Sequence, residues 1–326
     1  MKILVNAGFE QYWREEFDRI SEEFPNIEIV FSHSKEKDRK HLKTTNIYIG
    51  GYLKEEDIKS AENLKAIFVP WAGVDLLPID IISKRNILVS NSHGNARIVA
   101  ERAFSLALAL LGKIPKFHND LQKGIWHGFA VGFNESDLWN SMWDQKCTIL
   151  GMGRIGKYLA KLLKGFDCKV TAFKRKIEDI PNVDYVTNNL EEAVDLSNII
   201  FCILPLTKHT ENIIDWNVLS KMKGKFFINV GRGKTVNERD LYRALKDGIL
   251  AGAAIDVWYE YPNFKRKVSL PSNYPIHIFD NVVLSPHVGG YSIEGQVNRI
   301  KDTCDSLLEY LKTGTPKNLV DLKHGY

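Results

Sequence analysis

The chain of 326 residues is 44% hydrophobic and 26% charged. That balance excludes a disordered chain, a fibre and a disulfide scaffold, and the length predicts two domains, each able to bury a core. Lys plus Arg (44) exceed Asp plus Glu (40) too slightly to argue for nucleic acid as a partner.

Cys147, Cys168, Cys202 and Cys304 form no C-x-x-C motif, so neither zinc nor a disulfide framework is expected. They read as reduced thiols in a cytoplasmic protein, with Cys202 in a core strand. Residues 1–7 read as a strand rather than a leader. The most apolar run, residues 103–112, is too short to cross a bilayer, so no membrane partner is expected.

Residues 2–6 read as a buried strand, after which Tyr12, Trp13, Phe17, Ile20 and Phe24 share one helix face. Strands at 27–31 and 47–52, a helix at 55–64, a strand at 66–69, a helix around 76–84 and a strand at 87–90 follow. A long buried helix covers 96–112 and extends toward 123, with Ile98, Val99, Ala103, Phe104, Ala107, Leu108 and Leu111 on its apolar face. Residues 124–143 form an irregular arm whose aromatics suit an oligomer contact or local packing. A second alternation has strands at 147–150, 169–173, 184–187, 198–204, 225–230, 253–257 and 282–285. Its helices are at 154–164, 191–196, 217–222 and 237–247, and a last helix at 293–312 stops at Gly314. Strands alternating with helices predict an α/β protein with parallel sheets covered on both faces.

Thr148-Ile149-Leu150 runs into Gly151-Met152-Gly153-Arg154-Ile155-Gly156 and then into an apolar-periodic helix. A glycine fingerprint between a strand and a helix is the context dinucleotide binding needs. Gly151 permits the turn, Gly153 lets a pyrophosphate approach, and Gly156 lets helix and strand pack. Helix-start amides then meet the phosphate oxygens. The next strand ends in Lys174-Arg175-Lys176, with no acid before Glu178 to bond a ribose 2′-hydroxyl. Three cations suit a 2′-phosphate, so NADP is preferred and NAD remains possible. A solvated basic strand end is the plainer alternative.

The chain resembles the D-isomer-specific 2-hydroxyacid dehydrogenases. The resemblance rests on Trp71-Ala72-Gly73-Val74-Asp75, Asn91-Ser92-His93-Gly94-Asn95 with Val99-Ala100-Glu101, the glycine turn, Leu204-Pro205-Leu206-Thr207 with Thr210, Asn229-Val230-Gly231-Arg232-Gly233, Asp256-Val257-Trp258 and Ser285-Pro286-His287-Val288-Gly289-Gly290. It implies two doubly wound parallel-sheet domains, a flavodoxin-like substrate domain (1–95 plus 292–326) and an inserted Rossmann cofactor domain (96–291), with the site in the cleft between them. It also implies a homodimer through the cofactor domain, where the arm would fit. Cofactor contacts are implied at Val99, Arg154, Ile155, Pro205, Thr210, Val230, Gly231, Asp256, His287 and Gly289, with Asp256 orienting the nicotinamide carboxamide. The amides of Ala72 and Gly73 would hold the substrate carboxylate.

Hydride transfer to a 2-oxo acid needs a cation for the carboxylate and carbonyl, and an acid for the oxygen as it becomes an alkoxide. Arg232, at a strand mouth, can fork two bonds to a carboxylate. His287 titrates near neutral pH and suits the acid. One position departs from the family. Its pattern places a glutamate beside the catalytic histidine, but Asp256-Val257-Trp258-Tyr259-Glu260-Tyr261-Pro262 puts Tyr261 in that slot and Glu260 one residue early. A neutral phenol cannot raise the imidazole pKa by charge, but can bond the ring and fix its tautomer. Either Tyr261 works with His287, the favoured reading, or Glu260 swings in.

The expected activity is reduction of a small 2-oxo acid, first glyoxylate or hydroxypyruvate, with pyruvate and 2-ketogluconate open. With only residues 315–326 after the last helix, a feedback-regulated 3-phosphoglycerate enzyme is disfavoured. The basic segment Lys265-Arg266-Lys267 suits either a longer or phosphorylated acid or a solvated loop. The alternatives are a dinucleotide-sensing scaffold or co-repressor of the same fold, and a formate- or phosphite-type oxidant, against which the basic strand end argues.

Overall fold

The computed structural model describes residues 1–32, 35–263 and 265–323. Its elements run β1 (Lys2–Val5), α1 (Glu10–Glu23), β2 (Glu28–Phe31), α2 (Lys35–Leu42), β3 (Ile47–Ile49), α3 (Glu55–Ser60), β4 (Ala66–Val69), α4 (Ile79–Lys84), β5 (Leu88–Asn91), α5 (Ala96–Leu111) and α6 (Ile114–Leu121). They continue with β6 (Lys146–Leu150), α7 (Arg154–Lys164), β7 (Lys169–Phe173), β8 (Tyr185–Thr187), α8 (Leu190–Asp195), β9 (Ile199–Cys202), α9 (Trp216–Leu219), β10 (Lys225–Asn229), α10 (Glu238–Lys246), β11 (Leu250–Ile255), β12 (Val282–Leu284) and α11 (Ile293–Thr313). The chain separates into two units, Met1–Asn95 with Tyr291–Tyr326, and Ala96–Gly290.

The first unit holds a five-stranded parallel sheet in the order β2-β1-β3-β4-β5, the flavodoxin arrangement. α1 lays Trp13, Phe17 and Ile20 on one face of it, beside Ile300, Cys304 and Leu307 of α11. Each such large apolar side chain contributes roughly 1.5–3 kcal/mol on burial. Ser292 caps α11 by accepting from the Gly295 amide, and Gly314 ends it with φ at 79°. The charged segment of α2 carries only Leu42 as an apolar residue, so no periodicity announces it. β3 stops at Ile49 because Gly50 turns the chain at φ 154°.

The second unit holds a seven-stranded parallel sheet in the order β12-β11-β10-β9-β6-β7-β8, the doubly wound Rossmann order with one strand added. α5 buries Ala100, Ala103, Phe104, Ala107, Leu110 and Leu111 against it. The long helix expected to extend toward 123 breaks instead. Lys113 takes a left-handed φ of 52°, and α6 restarts with Pro115 in its first turn. The arm beyond α6 has two 3₁₀ turns, Gly128–Ala130 and Glu135–Asp137. His127 ties it together, with one ring nitrogen 3.0 Å from Asp120 and the other 2.9 Å from Asp137. Phe129 and Phe133 stand 92% and 94% exposed on it. All four cysteines are buried free thiols, Cys202 within β9. Among the described residues no helix is long and apolar enough to cross a membrane.

Candidate active site

The sheet of the second unit reverses its winding between β6 and β9, the place where open α/β sheets bind ligands. β6 ends at Leu150, and Gly151 turns the chain at φ 100°, where a Cβ would fall 2.9 Å from the Ile203 carbonyl oxygen. A Cβ on Gly156 would fall 2.8 Å from the Gly151 oxygen, so this glycine lets α7 sit on the turn. Above Gly153 a Cβ would meet nothing within 4 Å. Gly153 is also the N-cap of α7, and among the described residues no side chain caps that end. Open space over uncapped, dipole-aligned amides fits the pyrophosphate of a dinucleotide. Arg154 lies exposed at the helix start and Ile155 packs partly into the core.

The three cations follow β7, and both lysines are engaged. Lys174 and Lys176 both pair with Glu178. The Lys174 hydrogen bond holds the Glu178 carboxyl below the usual carboxylate range. Arg175 is exposed beside them. A 2′-phosphate here has to displace a carboxylate from the lysines. The loop after β9 is closed by Thr210, which donates to the Pro205 oxygen at 2.6 Å and accepts from the Thr207 amide at 2.8 Å.

Arg232 follows β10, two residues past Val230 and one past Gly231. Its carbonyl accepts from Asn229 Nδ2 at 3.2 Å and Thr235 Oγ1 at 2.7 Å, and Asn229 Oδ1 accepts from the Gly231 amide at 3.1 Å. Asn229 and Thr235 are themselves buried, so the backbone under the guanidinium is fixed. One guanidinium nitrogen, Nη1, donates to the Gly231 oxygen at 2.9 Å.

His287 follows β12 in a left-handed backbone conformation, φ 58°. A non-glycine residue holds such a conformation only where its surroundings impose it. The Asp256 carboxylate, 2% exposed at the end of β11, accepts from Ser285 Oγ, from the Val288 amide at 3.0 Å and from the Gly289 amide at 2.9 Å. Arg102 of α5 donates to Ser285 Oγ at 2.9 Å, and Trp258 Nε1 donates to the Ser285 carbonyl at 2.7 Å. Both residues flanking His287 on the C-terminal side, and Ser285 before it, are thus clamped by one buried acid. The Tyr261 hydroxyl lies 3.0 Å from His287 Nδ1 and accepts from the Trp258 amide at 3.0 Å. Glu260 faces Asn273, whose Nδ2 is 3.4 Å from its Oε1.

Arg232, Asp256 and His287 therefore follow three adjacent strands, β10, β11 and β12, at the carboxyl edge of one sheet. Strands two apart are about 10 Å apart, which leaves room for a small acid between cation and imidazole. Val99 of α5 packs near Gly289, its Cγ1 being 3.7 Å from a Cβ built there. Ala72 and Gly73 belong to the first unit, just past β4, and Asn91 Nδ2 donates to the Ala72 oxygen at 2.8 Å. The basic segment Lys265-Arg266-Lys267 is exposed, and Arg266 bonds locally to the Val268 oxygen and Ser269. Arg102 escapes a sequence reading, because nothing local marks it as the support of a residue 183 positions along the chain, and the part of Asn229 and Thr235 in holding the Arg232 carbonyl is visible only in space. Ser285 lies inside a motif, yet its part in clamping the turn is visible only in space.

The family model of the D-isomer specific 2-hydroxyacid dehydrogenase NAD binding domain matches residues 104–289. The glyoxylate reductase of Thermofilum pendens is 32% identical over 280 residues, covering 82% of this chain and 77% of that one. The D-3-phosphoglycerate dehydrogenase of Escherichia coli is 31% identical over 277 residues, covering 83% of this chain and 64% of its own. Among solved structures, an acyclic imino acid reductase in complex with NADPH and D-Arg superimposes with a TM-score of 0.83 at 26% identity, over 98% of this chain and 100% of that chain.

Proposed function

Because the chain belongs to the D-isomer-specific 2-hydroxyacid dehydrogenase family of oxidoreductases, we propose that it reduces a small 2-oxo acid to the D-2-hydroxy acid with NADPH. The observation that carries this reading is the pair Arg232 and His287 at the carboxyl ends of β10 and β12, with only β11 between them in the dinucleotide-binding sheet. A binding scaffold has no need of that pair, so the sensor or co-repressor reading is the weaker one.

A bound nicotinamide cofactor supplies the hydride. Gly151, Gly153 and the α7 amides cradle its pyrophosphate, and Arg175 with the flanking lysines receives the 2′-phosphate. Val99, Ile155, Pro205, Thr210, Val230, Gly231 and Gly289 line its path. The clamp fills both acceptor sites of Asp256 Oδ1 and one of Oδ2, and leaves the second site of Oδ2 for the carboxamide. Arg232 grips the substrate carboxylate and polarises the carbonyl, with the Ala72 and Gly73 amides as further donors. His287, as imidazolium, gives its Nε2 proton to the carbonyl oxygen as negative charge builds there. Its Nδ1 proton stays directed at the Tyr261 oxygen, which fixes the tautomer left behind.

Glyoxylate and hydroxypyruvate are the first substrates to try, supported by the glyoxylate reductase relative. NADPH over NADH is supported by the absence of an acid at the end of β7 and by the NADPH held in the imino acid reductase. A homodimer through the arm is supported by the exposed Phe129 and Phe133. Following NADPH and NADH absorbance with a panel of 2-oxo acids tests the activity. No oxidation of either cofactor by any of them, with dinucleotide binding intact, overturns the enzyme reading.

A further inference from the structure

The first unit has its own reversal of winding, between β1 and β3, and a cation stands at that end of the sheet. Arg299 reaches from α11 to the residues just past β4. Its Nη1 is 3.4 Å from the Pro70 oxygen, and its guanidinium carbon is 6.0 Å from the centre of the Trp71 ring. Trp71 lies over Gly51, where a Cβ would fall 2.1 Å from the ring, and its ring meets that of Tyr52 at 5.4 Å. Phe9, past β1, meets Tyr291 at 5.9 Å.

The cation is desolvated and has no carboxylate partner among the described residues. Burial pushes its pKa down, and only the phenols of Tyr291 and Tyr52 act in the other direction. Its Nε is buried with no hydrogen-bond partner. Asp302, one turn further along α11, is already engaged by Ser92 Oγ at 2.9 Å, the His93 amide at 2.8 Å and Asn318 Nδ2 at 3.1 Å. A half-buried guanidinium with an orphaned donor costs stability unless something anionic meets it. Arg232 belongs to the other unit.

We propose that Arg299 is an anion-recognition group for the substrate, and that the preferred 2-oxo acid carries a second anionic group, a carboxylate or a phosphate. This rests on the reading that the Ala72 and Gly73 amides receive the first carboxylate. Ala72 is two residues beyond Pro70, a span of at most about 7 Å. The two anions are then separated by roughly the length of a short dicarboxylic or phosphorylated 2-oxo acid. Trp71 and Tyr52 wall the stem between them, and the forked guanidinium selects for a planar or tetrahedral oxyanion at its end.

The test uses the full chain saturated with NADP+, which has no hydride to transfer, and calorimetry with three probes. These are 2-oxoglutarate, 3-phosphohydroxypyruvate and the singly charged 2-oxovalerate. At least one of the two probes with a second anionic group is expected to bind about tenfold or more tightly than 2-oxovalerate, the size of one charge-assisted contact. Which of the two does so separates a carboxylate from a phosphate. Arg299→Met should remove that advantage and leave 2-oxovalerate within about twofold, while Arg299→Lys should keep part of it as a point charge without the fork. NADPH fluorescence of both variants reports that they fold. Equal binding of all three probes by the wild type overturns the proposal, as does an equal loss for all three in both variants. Turnover is read separately: if no 2-oxo acid oxidises NADPH but the advantage of the second anionic group persists, the reductase reading fails and Arg299 stands.

Discussion

The Tyr261 oxygen and His287 Nδ1 lie 3.0 Å apart, and that oxygen also accepts the Trp258 amide. The imidazole is therefore steered by a neutral group. Tyr261→Phe should lower kcat about five- to tenfold, the value of one neutral hydrogen bond of about 1 kcal/mol. Glu260→Gln should change kcat less than about twofold, as expected for a surface substitution. Tyr261→Glu should carry the alkaline limb of the kcat/KM profile to higher pH, because a carboxylate favours imidazolium. Steady-state kinetics across pH on the three variants checks all of this.

Arg232→Gln should cut kcat/KM for any 2-oxo acid by about a hundredfold or more, the usual loss on removing a donor at developing charge. NADPH binding, followed by fluorescence, should stay within about twofold, because no transition-state charge is involved there.

Glu178 competes with a 2′-phosphate for Lys174 and Lys176. Glu178→Gln should tighten NADPH by about threefold to tenfold, less than a full charge-assisted bond because exposed ion pairs are weak. Arg175→Ala should weaken NADPH and leave NADH nearly unchanged, narrowing the ratio of their KM values. Equal use of both cofactors by the wild type would falsify the 2′-phosphate assignment.

Asp256 takes three donors from the turn that bears His287. The substitution Asp256→Asn turns one acceptor into a donor and sets it against an N–H or hydroxyl. The expected cost is about 1–3 kcal/mol in urea unfolding, with kcat falling more than KM rises.

His127 sits between Asp137 and Asp120, and hydrogen bonds from these carboxylates, Asp137 first, raise its pKa above the ordinary 6.5. A raised pKa means that the arm's order is fully present below that ordinary value and is lost as pH rises through the folded one. The acids work in the opposite sense. Asp120 is held below its ordinary 3.8 chiefly by Lys116, and Asp137 chiefly by the Gly128 amide. Their contribution disappears as pH falls below 3.8 through the folded values. Trp126 and Trp139 flank this knot, so tryptophan emission should change at both ends of the pH range. His127→Gln should abolish the alkaline change alone.

The stretch from β6 through α7 to β7 is legible residue by residue, because an apolar strand, a glycine turn and a strongly one-sided helix agree there. α2 is illegible for the opposite reason, being charged nearly throughout. The break at Lys113 is signalled by Gly112 before it and Pro115 after it, but the apolar spacing that continues through Phe117 and Leu121 masks these signals. Counting from Asp256 to Pro262 puts a phenol in the acid's place, and a phenol is what lies beside the ring. What counting cannot supply is Arg102 supporting Ser285 across 183 positions, since that contact depends on folding in space.

The burial of every native thiol has a practical consequence. Maleimide dyes and spin labels should find nothing to react with on the folded protein, so one engineered cysteine would be its sole chemical handle. Placed by Phe133→Cys on the exposed arm, such a probe would test the proposed homodimer by energy transfer between differently labelled samples, without any native cysteine having first to be removed.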